Sequence, residues 1–181
     1  MASRNWDTSK QISFVGIDIP HVGYGRMTAS LVGALSERVS VVDDAERVVF
    51  ALKPDMIKGW IKGQKPALLT MWETNRLPKE FTDYMYLFDT IIVPSLYNWE
   101  IFSEHHDNVR VVSLGVDREI WCPKERPNNK KFKLLCGGSE WYRKGLDVVL
   151  EVFLKMGLPD AELHIKIVPP YLAAPKNLDY P

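Results

Sequence analysis

Short apolar runs alternate with amphipathic stretches along most of the chain, and that alternation sets the first expectations. Ile12-Ser-Phe-Val-Gly-Ile17 is a compact apolar run, the natural first strand. Gly23-Tyr-Gly-Arg26 leads into residues 27–35, whose apolar positions suit a helix. Residues 39–42 and 48–52 are β-branched enough to form two buried strands. Pro54 suits the first turn of a helix reaching about Lys62, with Gly63 just past its end. Residues 67–71 read as the fourth strand. After Pro78, the positions of Phe81, Tyr84, Met85 and Leu87 predict a helix, followed by a strand over 90–93, a short helix over 97–102 and a strand over 109–113. Strands that alternate with helices pair in parallel, because a parallel connection needs a crossover segment. The predicted class is therefore α/β, a doubly wound parallel sheet.

The pattern breaks at residues 122–131, CPKERPNNKK, which is polar, carries two prolines and lacks apolar periodicity, as a linker does. It restarts with a strand over 132–135, a glycine-bearing loop, a helix over 146–156 and a strand over 162–168. The predicted organisation is a domain over 12–121, a linker over 122–131 and the beginning of a second domain over 132–181. A single βαβ unit is too small to bury its own sheet. Val148, Leu150, Val152, Phe153 and Leu163 are accordingly expected to be uncovered, and the chain to self-associate.

Composition narrows the function classes. Hydrophobic residues make up 46% of the chain and aromatics 11%, enough for a sizeable core and against a disordered chain. Lys+Arg and Asp+Glu both total 23, a balance that argues against a broad nucleic-acid or anionic-membrane footprint. The two cysteines, Cys122 and Cys136, have no metal-ligand spacing and suit a reducing compartment. The first residues lack the apolar core of a signal peptide, and no run approaches a membrane span, so a cytoplasmic location is expected. No HExxH, CxxC or GxSxG pattern supports a zinc or serine hydrolase. His105 and His106 are expected at the surface, and His164 in a strand.

Three stretches would carry chemistry. The first is residues 16–26, GIDIPHVGYGR, between the first strand and helix. Gly23 and Gly25 there would let backbone N–H groups approach an anion at a helix N-terminus, with Arg26 as a direct contact and His21 as a further one. A dinucleotide fingerprint with Asp43 as the ribose-binding acid competes with this reading. It fits poorly, since Gly23 stands six residues beyond Ile17 and Thr28 occupies the third glycine position. A plain loop whose glycines adopt positive φ competes as well. The second stretch is residues 70–78, TMWETNRLP, past the carboxyl end of the fourth strand, where open parallel sheets bind ligands. Trp72 offers a flat face to a sugar, and Glu73 a carboxylate for its hydroxyls or for proton transfer. Packing of Trp72 under the loop, with Glu73 merely solvated, is the alternative. The third is residues 136–145, CGGSEWYRKG, where Gly137 and Gly138 would permit close backbone approach. Arg143 and Lys144 would add charge before a helix N-terminus, an arrangement suited to a diphosphate.

These pieces together resemble family 4 of the retaining glycosyltransferases of the GT-B fold. Asp89-Thr-Ile-Ile-Val-Pro-Ser95 is similar to that family's "D-x-(apolar)-x-V-x-S" strand. Val111-Val-Ser-Leu-Gly-Val-Asp117, with Trp121 and Pro123, is similar to the end of its first domain. Phe132 to Gly138, with Arg143-Lys-Gly-Leu-Asp147 and Glu151-Val-Phe153, is similar to the opening of its second. The likeness spans residues 12–168. It implies a Rossmann-like, acceptor-side first domain and a second domain that binds a nucleotide-diphosphate sugar. It also implies transfer of the sugar to an unknown acceptor, with no metal and no further cofactor. By resemblance, Lys144 would contact the donor diphosphate, with Arg143, Gly137 and Gly138 beside it. Gly23, Gly25 and Arg26 would face the donor phosphate and the acceptor. Trp72 and Glu73 stand where many members have a sugar-contacting histidine, and Glu73 is the one catalytic candidate.

The chain departs from that family in two places: many members have an arginine where Gly138 stands, and the histidine at the Trp72 position is missing. The family's E-x7-E pair is expected downstream of residue 181, so the chain is expected to be a fragment. A non-catalytic Rossmann-like binding module derived from the same fold is the alternative reading, and a nicotinamide enzyme a third.

Overall fold

The computed structural model describes residues 10–17, 23–43, 45–51, 66–125, 128, 130–138 and 141–167. The expected helix over 54–62 and the candidate ligand contact His21 lie outside them. The chain divides into two compact units, residues 1–117 and 118–181.

The first unit is a parallel sheet flanked by helices. Its elements are β1 (Gln11–Val15), α1 (Gly23–Ser36), β2 (Ser40–Val41), β3 (Glu46–Phe50), β4 (Ala67–Leu69), α2 (Lys79–Met85), β5 (Thr90–Val93), α3 (Leu96–Ser103) and β6 (Val109–Val111). The six strands lie in the order β2-β1-β3-β4-β5-β6, every pair parallel. This is the α/β, Rossmann-like architecture that the alternation predicts. The step from β2 to β3 crosses β1 with only residues 42–45 between the strands. That short crossover works because Ile12 pairs with Val41 on one side and Glu46 on the other. The chain need span only two inter-strand spacings, about 10 Å, within the reach of a few extended residues.

Strand register explains the core. Val49 pairs with Leu68, Leu68 with Ile91 and Ile91 with Val109, so one apolar row crosses four strands on a single face. That row is buried with Phe81 and Met85 of α2 and Ile101 and Phe102 of α3. Phe81 meets Phe102 edge-on, with ring centroids 5.6 Å apart. On the other face Phe50 pairs with Leu69 and meets Tyr24 of α1, with centroids 6.2 Å apart. Helices thus cover both faces, and burial of apolar rows on both sides is the main stabilising term.

Two glycine pairs are placed differently from expectation. The sequence places Gly23 and Gly25 in a loop leading into the helix; they lie in the first turn of α1 itself, and Gly25 is buried. Among the described residues only Gly145 and Gly157 have positive φ. Neither Gly23 nor Gly25 forms a left-handed turn, and a side chain on Gly23 would meet open space.

The second unit holds β7 (Phe132–Gly138), α4 (Leu146–Met156) and β8 (Ala161–Ile167), with β7 and β8 paired in parallel over seven positions. The strand therefore runs through Gly137 and Gly138, where a loop was expected. Gly145 and Gly157, with φ of 66° and 55°, bracket α4 at its N-cap and C-cap. Leu146 is fully buried, while Val148 and Met156 are more than half exposed and Val152 is half exposed. One sheet face is apolar (Leu134, Cys136, Leu163, Ile165), and the other carries Lys133, Glu162, His164 and Lys166. Glu162 lies 3.8 Å from Lys131 Nζ, 4.0 Å from Lys133 Nζ and 3.3 Å from His164 Nε2. These are exposed pairs that contribute little to stability.

Candidate functional site

In the first unit the candidate chemistry gathers at the carboxyl ends of the strands. Because β2 and β3 flank β1, the direction of the strand order reverses between β1 and β3, and ligands of doubly wound sheets bind at such a switch point. The first turn of α1 starts there. Its leading backbone N–H groups have no acceptor within the helix, and Arg26 is exposed beside them.

Thr28 organises this corner. Its hydroxyl accepts from Ile17 N–H at 3.2 Å and donates to the Tyr24 carbonyl at 3.1 Å, tying the end of the first strand to the helix. A Cβ on Gly16 would come within 2.7 Å of Thr28 Cγ2. In a dinucleotide fingerprint the third glycine, on the helix, permits this close approach. Here the small residue stands on the strand side and a threonine on the helix, so the corner meets the same packing demand in a different way.

The loop after β4 is held from a distance. Asn98 of α3 is buried, accepts from Trp72 N–H at 3.1 Å and donates to the Trp72 carbonyl at 2.8 Å. Ser95 caps α3 by accepting from Asn98 N–H. The Trp72 ring meets Phe81 edge-on, with centroids 5.8 Å apart, and its indole N–H donates to Thr74 Oγ1 and the Arg76 carbonyl, each at 2.8 Å. Trp72 is thus packed under its own loop, the role that competes with sugar stacking, while Glu73 next to it is exposed. Just before them, Thr70 is fully buried and its hydroxyl oxygen has no hydrogen-bond partner among the described residues.

At the opposite ends of the strands His106 is half-buried, not the surface residue expected. Its Nδ1 accepts from Asn108 N–H at 3.1 Å, which assigns the ring proton to Nε2 and makes Nε2 the donor to the Phe88 carbonyl at 3.2 Å. Asn108 Nδ2 reaches Asp89 O and Thr90 Oγ1. A shallow pocket of about 410 Å³ is lined there by Met85, Phe88, His106 and Asn108 among others. It lies away from the carboxyl ends, and the hydrogen bonds around it join the starts of β5 and β6.

In the second unit the junction from β7 to α4 gathers the basic candidates. Trp141 is buried and its carbonyl accepts from Leu146 N–H, while Tyr142 O accepts from Gly145 N–H, so two turns lead into the helix. Arg143 and Lys144 are exposed on those turns. Gly137 faces Lys166 of β8, whose carbonyl oxygen would lie 3.1 Å from an added Cβ. Gly138 faces the stem of Lys144 instead. Asp147, in the first turn of α4, keeps one buried carboxylate oxygen without a partner among the described residues.

No protein-family model and no curated protein matches this chain. Among the described residues no group of three His, Cys, Asp or Glu side chains is arranged to hold a metal, and no helix is long and apolar enough to cross a membrane. The interactions that sequence reading missed, Asn98 to Trp72 and Ile17 to Thr28, join residues 26 and 11 positions apart. No local pattern announces either.

Proposed function

We propose that the chain binds a nucleotide-diphosphate sugar and belongs to a glycosyltransferase that moves the sugar to an acceptor hydroxyl with retention of configuration. The observation that carries this reading is the junction from β7 to α4. It brings two exposed cations, Arg143 and Lys144, and a helix N-terminus next to a strand end bare of side chains. Such a junction suits a diphosphate, because backbone N–H groups and fixed cations both favour its charge. The switch point at α1, with Arg26 and the N–H groups around Gly23 and Gly25, supports a second phosphate- or acceptor-facing surface on the first unit.

In the transfer, the bond between the anomeric carbon and the diphosphate oxygen breaks, and its electron pair leaves on the diphosphate. The acceptor oxygen bonds to the anomeric carbon and passes its proton to the departing phosphate oxygen. Lys144 and the α4 N-terminus would stabilise the developing negative charge, the work a metal performs in other transferases. Glu73 is the candidate to orient acceptor hydroxyls. The two unpaired thiols, Cys122 and Cys136, fit a reducing cytoplasmic setting.

A second reading, a binding module without turnover, is favoured by the commitment of Trp72 to Phe81 and its own loop. Calorimetric titration with a panel of nucleotide-diphosphate sugars tests the binding. Lys144→Ala should weaken the cognate donor roughly tenfold to a hundredfold, the cost of one charge-assisted contact, with little change in melting temperature. Equal affinity in wild type and variant would sink the proposed donor site. Release of nucleoside diphosphate in the presence of acceptors separates the transferase from the binding module.

A further inference from the structure

Gly138 has a neighbour that its backbone does not explain. It lies at the end of β7 and its φ is not positive, so a side chain there would cause no backbone strain. The three atoms nearest to a Cβ built on it all belong to one residue: Lys144 Cγ at 2.6 Å, Cβ at 3.2 Å and Cδ at 3.5 Å. The conflict is at the root of the lysine, not at its tip. Swinging the ammonium aside would not relieve it, and the whole stem would have to leave.

We propose that Gly138 is a positioning residue for Lys144, its bare Cα a seat that holds the lysine stem over the carboxyl end of β7. This inference rests on reading the junction as a diphosphate site. A lysine has four rotatable bonds, and a free one loses that freedom when it grips an anion. Seating the Cβ to Cδ segment restricts the first of those torsions before the ligand arrives. The exposed ammonium is then presented beside the first turn of α4, and binding costs less ordering. Gly138 therefore tunes anion affinity without touching the anion.

The test is calorimetric titration of the 181-residue chain with inorganic pyrophosphate, using wild type, Gly138→Ala, Lys144→Ala and the double variant. Lys144→Ala is expected to weaken pyrophosphate about tenfold, and Gly138→Ala by a smaller factor. Gly138→Ala should add nothing in the Lys144→Ala background. It should also flatten the salt dependence of binding in the same direction as Lys144→Ala, which a general loosening of the strand would not do. Wild-type affinity in Gly138→Ala, or an equal loss in both backgrounds, overturns the seat. If Gly138→Ala does not fold, Lys144→Ala should rescue it by removing Cγ and Cδ, and failure of that rescue overturns the seat too. Should Lys144→Ala leave pyrophosphate binding unchanged, the diphosphate reading falls instead. The seat is then decided by side-chain relaxation of Lys144, ordered in wild type and mobile in Gly138→Ala if the inference stands.

Discussion

The row Val49-Leu68-Ile91-Val109 in the first unit and the row Leu134-Leu163 in the second are built from the same kind of residue. Leu68 and Ile91 are fully buried, whereas Leu134 is 37% exposed and Phe132, on the same face, 69%. The difference is not one of composition. In the first unit four or more strands present a surface wide enough for α2 and α3, and Phe81 and Phe102 fill the space between them. Among the described residues of the second unit two strands meet one helix, and α4 has more apolar surface than they cover. Apolar content thus permits burial, and the number of layers and strands decides it.

The largest expected effect tests that contrast directly. Phe102→Ala should destabilise the first unit by about 3–5 kcal/mol, as deletion of a fully buried ring does. Phe132→Ala should change stability by less than about 0.5 kcal/mol. Denaturant titration of the two variants would undo the comparison if their costs were alike. Next is Asn98→Ala, which leaves the Trp72 N–H and carbonyl without partners; about 1–3 kcal/mol is expected, with a change in tryptophan emission as the loop loosens. An unaltered emission spectrum with full stability would show that the clamp is dispensable.

On the second unit, Val148→Glu combined with Val152→Lys alters two exposed apolar positions. Stability should stay within about 0.5 kcal/mol, while light scattering reports less self-association. A cooperative loss of structure would mean that those positions are covered in solution. The smallest effect belongs to Glu151, whose carboxyl is held below its ordinary 4.5 by a hydrogen bond from Lys155 and by that lysine's charge. A lowered folded value makes the contribution complete above 4.5 and lost as pH falls through the lower folded value. The pair is fully exposed, so Glu151→Gln should leave the melting temperature at neutral pH unchanged within replicate scatter.

The readings that matched the structure are those whose signals are local. The strand Thr90–Val93 is a β-branched run, three of its four residues apolar, between Asp89 and Pro94, and α4 has its periodicity and both bracketing glycines in view. The readings that differed involved glycine. Gly23 and Gly25, which the pattern places in a loop before the first helix, lie within α1; Gly137 and Gly138, which it places in a loop, continue a strand. At Gly137 and Gly138 the partners that demand smallness, Lys166 and Lys144, lie elsewhere in the chain. Asn98 illustrates the same limit, because a buried amide declares its purpose only once Trp72 is beside it.

The two left-handed glycines around α4 make it a segment of fixed length. Any other residue at 145 or 157 would meet strain, so the helix has a start and a stop that substitution does not readily move. Its eleven residues rise about 16 Å, against about 23 Å for a seven-residue parallel strand. The turns on either side make up the difference. For an engineer, α4 is therefore a cassette: its outer face is open to rewriting and its residue count is not, and insertions belong in the turn at 158–160.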